Sequence, residues 1–165
     1  MTVVSNSSPL IAFARIGQLK LLASFYKRIL IPPQVHHEVT VAGRGLPGSE
    51  EVQKARWIEV ASPEVPRDPS LMQASQNLGA GEQGAIRLAK SLQTDLVLLD
   101  DRSARRVARD LGLAVVGCVG ILEAGARKSL VPDLRQAHID LLRQGVRFDI
   151  KLLQDSLERL GLPKV

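Results

Sequence analysis

The chain is poor in aromatic rings and in sulfur, with three Phe, one Trp and one Tyr among 165 residues and Cys118 as its single cysteine. One cysteine excludes an internal disulfide and a thiolate zinc site, and it fits a reducing compartment. So few rings argue against base stacking on an aromatic platform, the mode of single-strand-binding folds. The core must instead be built from Leu, Val, Ile and Ala. Cys118 lies in an apolar stretch, which reads as burial rather than reactivity. No apolar run reaches the roughly 18 residues of a spanning helix. The N-terminus carries no basic region followed by an apolar one, so no signal peptide and a cytoplasmic location are expected.

What is present is ordinary in amount. Apolar residues make up 45% and charged residues 24%, the balance of a globular protein. The length suits one domain with a proper core, so residues 1–165 are expected to form a single unit. A formal charge of +5 favours a polyanionic partner, most simply nucleic acid.

The pattern along the chain alternates strands with helices. Short apolar runs at Val3 to Ser5, Ile29 to Ile31, Trp57 to Val60, Leu96 to Leu99 and Ala114 to Val116 read as strands. Ser8 is expected to cap a helix with Pro9 at its first position, and one or two helices break near Gly17. Further helices are expected over Gln34 to Val41, Glu50 to Ala55, Ala80 to Leu92, Ser103 to Leu111, Ile121 to Arg127, Leu134 to Arg143 and Ile150 to Leu160. Gly43 to Gly48 reads as a loop, and Ser62 to Pro69, with three prolines, as a surface connection. Strands separated by helices pair in parallel. The expected fold is a three-layer α/β arrangement, a mostly parallel central sheet flanked by helices, with a helical C-terminal flank.

The chemistry concentrates where LVLLDDR (Leu96 to Arg102) follows GAGE (Gly79 to Glu82). Ligands of open α/β sheets bind at the carboxyl ends of the strands, which is where Asp100 and Asp101 fall. Two like charges about 5 Å apart repel by roughly 3 kcal/mol at an effective dielectric near 20, so a cluster of acids calls for a cation. Glu82, at a helix start, shares the face of Ala85 and Ile86, although an acid there also simply complements the helix dipole. Glu38 borders the stripe of Val35 and Val39 and could equally be an exposed helix glutamate. One aspartate of the pair can cap the following helix; the other is then unexplained. Asn6 ends the first strand, and its carboxamide oxygen can still ligate a hard cation.

Taken together, VVSNSSPLIAFARIGQL, ILIPPQVHHEV and LGAGEQGAIRLAKSLQTDLVLLDDRSARRVARDLGLAVVG resemble the PIN-domain nucleases over most of residues 1–145, leaving 146–165 as a C-terminal helix. The likeness is greatest to a bacterial and archaeal branch related to the VapC-type toxin nucleases of toxin–antitoxin pairs. It implies hydrolysis of RNA phosphodiesters with Mg2+ or Mn2+, the ion held by Glu38, Glu82, Asp100 and Asp101 with Asn6, and water as nucleophile. Ser7 and Ser8 match the hydroxyl positions that support the cluster. The resemblance also raises an antitoxin-like protein partner. Asn6 stands where most of the family has aspartate, which removes one negative charge and should weaken metal binding.

Arg102, Arg105, Arg106 and Arg109 recur at helical spacing beside the acids and are candidates for phosphate contact, or form a solvated face opposite Ala104, Val107, Ala108 and Leu111. Apolar helices at either end could form a homodimer or complete the core. His36, His37 and His138 lack a zinc-ligand pattern. Two other readings stand beside the ribonuclease. One is a weak or inactive member that binds RNA or protein, with Asn6 as the reason. The other is a magnesium-dependent phosphotransfer or nucleotide-binding module, although GAGEQG lacks the lysine of a phosphate-binding loop.

Overall fold

A computed structural model describes residues 1–64 and 68–165. The expected connection over Ser62 to Pro69 lies partly on residues 65–67, outside the described residues.

Five strands form one parallel sheet: β1 (Val3–Ser5), β2 (Ile29–Ile31), β3 (Ile58–Val60), β4 (Leu96–Leu98) and β5 (Val115–Val116), in the order β3-β2-β1-β4-β5. Each strand is two or three residues long. Alternation decides what each residue buries. Val3, Ile29, Ile31 and Leu98 enter one core cluster; Val4, Leu30, Val97 and Leu99 enter the other. The two clusters lie on opposite faces of the sheet, which is the expected three-layer α/β arrangement.

On the first face lie α1 (Ser7–Arg15), α2 (Leu19–Phe25), α8 (Cys118–Arg127), α9 (Leu134–Arg143) and α10 (Ile150–Arg159), together with α3 (Pro33–His36). The second face is covered by α5 (Pro69–Ser75), α6 (Ala80–Leu92) and α7 (Arg102–Asp110). A short α4 (Ser49–Lys54) completes the set. Leu10 and Phe13 of α1 and Leu153 and Leu157 of α10 are fully buried, so the apolar faces of the end helices complete the core. No helix among the described residues is long and apolar enough to cross a membrane.

Three local departures from the expected elements matter. Helix α1 begins at Ser7 with Asn6 as its cap residue, two positions before the expected Ser8 cap. The helix expected over Gln34 to Val41 starts as α3 and continues as a wider π-helical turn, His37–Ala42. Helix α5 was not expected at all. It starts from Asp68, whose carboxylate accepts the N–H groups of Ser70 and Leu71, and from Pro69 at its first position.

The strand order places the topological switch between β1 and β4, because the chain builds β2 and β3 on one side of β1 and β4 and β5 on the other. Beyond the carboxyl ends of two such strands a crevice opens. The backbone N–H of Asn6 donates to the carbonyl of Leu98 at 3.1 Å, so the ends of β1 and β4 are tied together at this point.

Candidate functional site

Helix α3 packs against the start of α6, and glycine permits the approach. A Cβ on Gly84 would lie 2.8 Å from Gln34 Oε1, and one on Gly81 would collide with the Glu38 carboxylate. Spaced three apart, the two glycines share the α6 face turned to α3. The GAGEQG run is therefore a surface for close packing of two helices. In the space left by Gly81, its N–H donates to Glu38 Oε1 at 3.0 Å, and the Ser7 hydroxyl donates to Glu38 Oε2. Both oxygens of Glu38 are thus held by residues distant in sequence.

One residue further along α6, Glu82 reaches back so that Oε2 accepts the Gly79 N–H at 3.0 Å. Burial raises its pKa above the ordinary glutamate range, and the charges of Asp101 and Glu38 push the same way. Glu82 on α6 therefore feels the charges of an acid on the β4–α7 turn and of one on the π-helical turn.

The two aspartates divide their structural work. Asp101 caps α7, its Oδ1 accepting the Ala104 N–H at 2.8 Å. Asp100 reaches the start of α8: Oδ1 accepts the Cys118 N–H at 2.7 Å, and the Cys118 thiol donates to Oδ2 at 2.9 Å. A Cβ on Gly117 would lie 2.7 Å from Asp100 Oδ1, so glycine leaves room for the carboxylate there. Burial pushes the Asp100 pKa up, while the bonds from Cys118 and the charge of Arg105 pull it down. Cys118 is buried as expected, and burial next to Asp100 drives its thiol pKa well up, so it stays a neutral donor.

Asn6 is 3% exposed, and its Oδ1 has no hydrogen-bond partner. An asparagine at a helix cap ordinarily accepts an N–H of the first turn; this one caps nothing with its side chain. An unsatisfied buried acceptor costs about 1–3 kcal/mol. A hard cation would satisfy it, since amide and carboxylate oxygens are the donors such ions take. Among the described residues no three His, Cys, Asp or Glu side chains close around a common point. Each carboxylate is instead turned to its own N–H, O–H or S–H donor. A carboxylate offers about four lone-pair sites, so each keeps capacity for an ion. In donor chemistry, the set fits a divalent cation.

A family model described as "DUF3368: PIN domain" matches residues 2–162. The chain belongs to the PIN-domain family. The match runs through α10, beyond the residues 1–145 that carry the resemblance in sequence. No curated protein matches the chain.

In this PIN domain a cleft of about 720 Å3 opens at the switch point, with Glu82, Asp100, Asp101 and Ser8 along it. Asn6 and Ser7 are buried beside it, and Glu38 lines a separate, smaller hollow between α1 and the π-helical turn. Arg102, Arg105 and Arg109 line the main cleft; Arg106 is exposed and does not. Arg105 is half-buried, with Nε lacking a partner, and its charge acts on Asp100. Sequence reasoning missed Arg147 and Phe148, which also line the cleft.

Gly81→Ala tests whether helix packing positions Glu38. Alanine is the better helix former by about 1 kcal/mol, yet its methyl must displace the Glu38 carboxylate. The expected result is weaker Mn2+ binding by calorimetry and a thermal midpoint unchanged or lower, since overpacking costs typically 1–3 kcal/mol. A variant that is more stable and binds Mn2+ as before would show that Glu38 needs no such clearance.

Proposed function

We propose that this PIN domain is a divalent-metal-dependent ribonuclease of the toxin-related branch, with an antitoxin-like protein as its regulator. The observation that carries the reading is the convergence at one strand-end crevice of Glu82, Asp100 and Asp101, with Glu38 close enough to raise the Glu82 pKa. A bound Mg2+ or Mn2+ would activate water and offset charge on the phosphate. Glu82 and Asp101 would hold it, each with one carboxylate oxygen free of the bonds described above. Glu38 would be oriented by Ser7 and Gly81, Asp100 by Cys118, and Asn6 would add a neutral oxygen. Arg102 and Arg109, exposed on the cleft wall, would take the phosphates flanking the cleaved one.

A second reading, binding without cleavage, has its own support: Asn6 brings no charge, and both Glu38 oxygens are already engaged. Incubation with single-stranded RNA in Mn2+, in Mg2+ and in a chelator separates the two. Cleavage that needs the divalent ion is the expected result. RNA bound but left intact under all three conditions would establish the second reading.

A further inference from the structure

The composition argues against an aromatic platform, yet one ring stands in the cleft. Phe13 is fully buried, Phe25 and Tyr26 pack on each other at 6.0 Å, and Trp57 packs against the first core cluster. Phe148 is the one ring lining the cleft among the described residues. It sits on the connection between α9 and α10 beside Arg147, in the same cleft as the acids and the arginines of α7.

That connection is clamped at both ends. At its start Gly145 takes a left-handed φ of 72°, and the N–H groups of Gly145 and Val146 return to the carbonyls of Leu142 and Leu141. Arg15 of α1 donates to the Gln144 carbonyl at 3.2 Å. At its end Asp149 caps α10 through the Lys151 N–H at 2.9 Å. Phe148 is half-buried, resting one side on the first cluster, while Arg147 is exposed and makes no ion pair within 4.0 Å among the described residues. A ring fixed between two helix ends loses little freedom on binding.

Resting on the ribonuclease reading, we infer that Arg147 and Phe148 form a nucleotide subsite for single-stranded RNA. The Phe148 ring stacks on one unpaired base next to the reacting phosphate, and Arg147 pairs with that nucleotide's phosphate. The α7 arginines then carry the backbone further along the same cleft. Stacking tolerates any base, since every base has a π-face, so the subsite selects unpaired strands rather than a sequence. A duplex, whose bases are already stacked, cannot offer one.

The test uses the whole chain and short phosphorothioate single-stranded RNAs carrying one abasic position, moved stepwise along the strand, with binding read by fluorescence anisotropy. For the unaltered protein, one abasic position is expected to weaken binding roughly 5- to 150-fold, the range for one base–aromatic stack. Phe148→Leu keeps the apolar contact with the core but loses the flat face; it should bind the intact strand as weakly as the unaltered protein binds the abasic one. Arg147→Ala should reduce the log–log salt slope by about 0.7, one phosphate contact on a single strand. Equal binding of intact and abasic strands at every position would overturn the subsite and leave the ribonuclease reading standing. No binding of any RNA would overturn both. Should Phe148→Leu fail to fold, the abasic series on the unaltered protein and the Arg147→Ala slope still decide.

Discussion

Glu82→Gln is expected to bind Mn2+ at least about 100-fold more weakly than the unaltered protein, while its metal-free form melts no lower. Loss of an outer-shell partner of a metal site already costs roughly 10- to 100-fold, and removing an anionic ligand belongs at or beyond the upper end. The stability half follows from the direction of the pKa shift. Glu82 is raised in the folded chain by burial and by Asp101 and Glu38. An acid raised on folding favours the fold while protonated. The folded state therefore loses stability as pH climbs from the ordinary glutamate range through the raised native value, and the loss persists above it. Glutamine escapes that loss and keeps a carbonyl oxygen for the Gly79 N–H. Metal-free melting curves of the two proteins should coincide in acid and separate in favour of Glu82→Gln as pH rises. Calorimetry and melting on the same samples check both halves. Unchanged Mn2+ affinity would remove Glu82 from the site.

Asn6→Asp should move both quantities the other way. At 3% exposure, with an orphaned Oδ1, position 6 gives a new carboxylate no described partner. A buried charge left uncompensated costs several kcal/mol, so the metal-free midpoint should fall by about 5 °C or more for a chain of this size. Mn2+ should restore it, and the affinity should tighten roughly tenfold or more, because one further anionic oxygen faces the ion. Melting with and without Mn2+ provides the readout. If neither midpoint nor affinity changes, Asn6 lies outside the cluster.

Much of the framework was legible because local rules and tertiary packing agree. The stripes of α6 and α9 set their limits at Ala80–Leu92 and Leu134–Arg143, and the runs at Val3 and Ile29 are strands. The misses have physical causes. Helix α5 buries only Leu71 and Ser75, too little for a periodic stripe, although its Asp68-Pro69 start was a readable cap signal. The Ser8-Pro9 pair satisfies the local rule for a helix start, yet Ser7 is drawn into the helix, where its hydroxyl meets Glu38 thirty-one residues away. No local pattern encodes that bond.

The same holds within the candidate site. Asp100 and Asp101 stood out as a pair, and a cap for α7 accounted for one of them. The other is explained only when α8 is brought alongside, so that Asp100 takes both the N–H and the thiol of Cys118. Arg106 fits the helical spacing of the basic stripe but is exposed and does not line the cleft. Arg147 and Phe148 sit in a connection with no motif; what puts them at the cleft is how α9 and α10 pack on α8 and on each other.

The hydrogen bonds of the acids carry a consequence for how the protein is made. Glu82 and Glu38 occupy the first N–H groups of α6, Asp101 starts α7, and Asp100 starts α8. Zinc fingers, whose ligands have no other employment, wait for their ion before they fold. Here the would-be ligands are already engaged in starting helices. On the metal-dependent reading proposed above, a newly synthesised chain would therefore reach its final shape in a cell starved of divalent ions, and the ion would be taken up, lost and exchanged afterwards as a matter of supply.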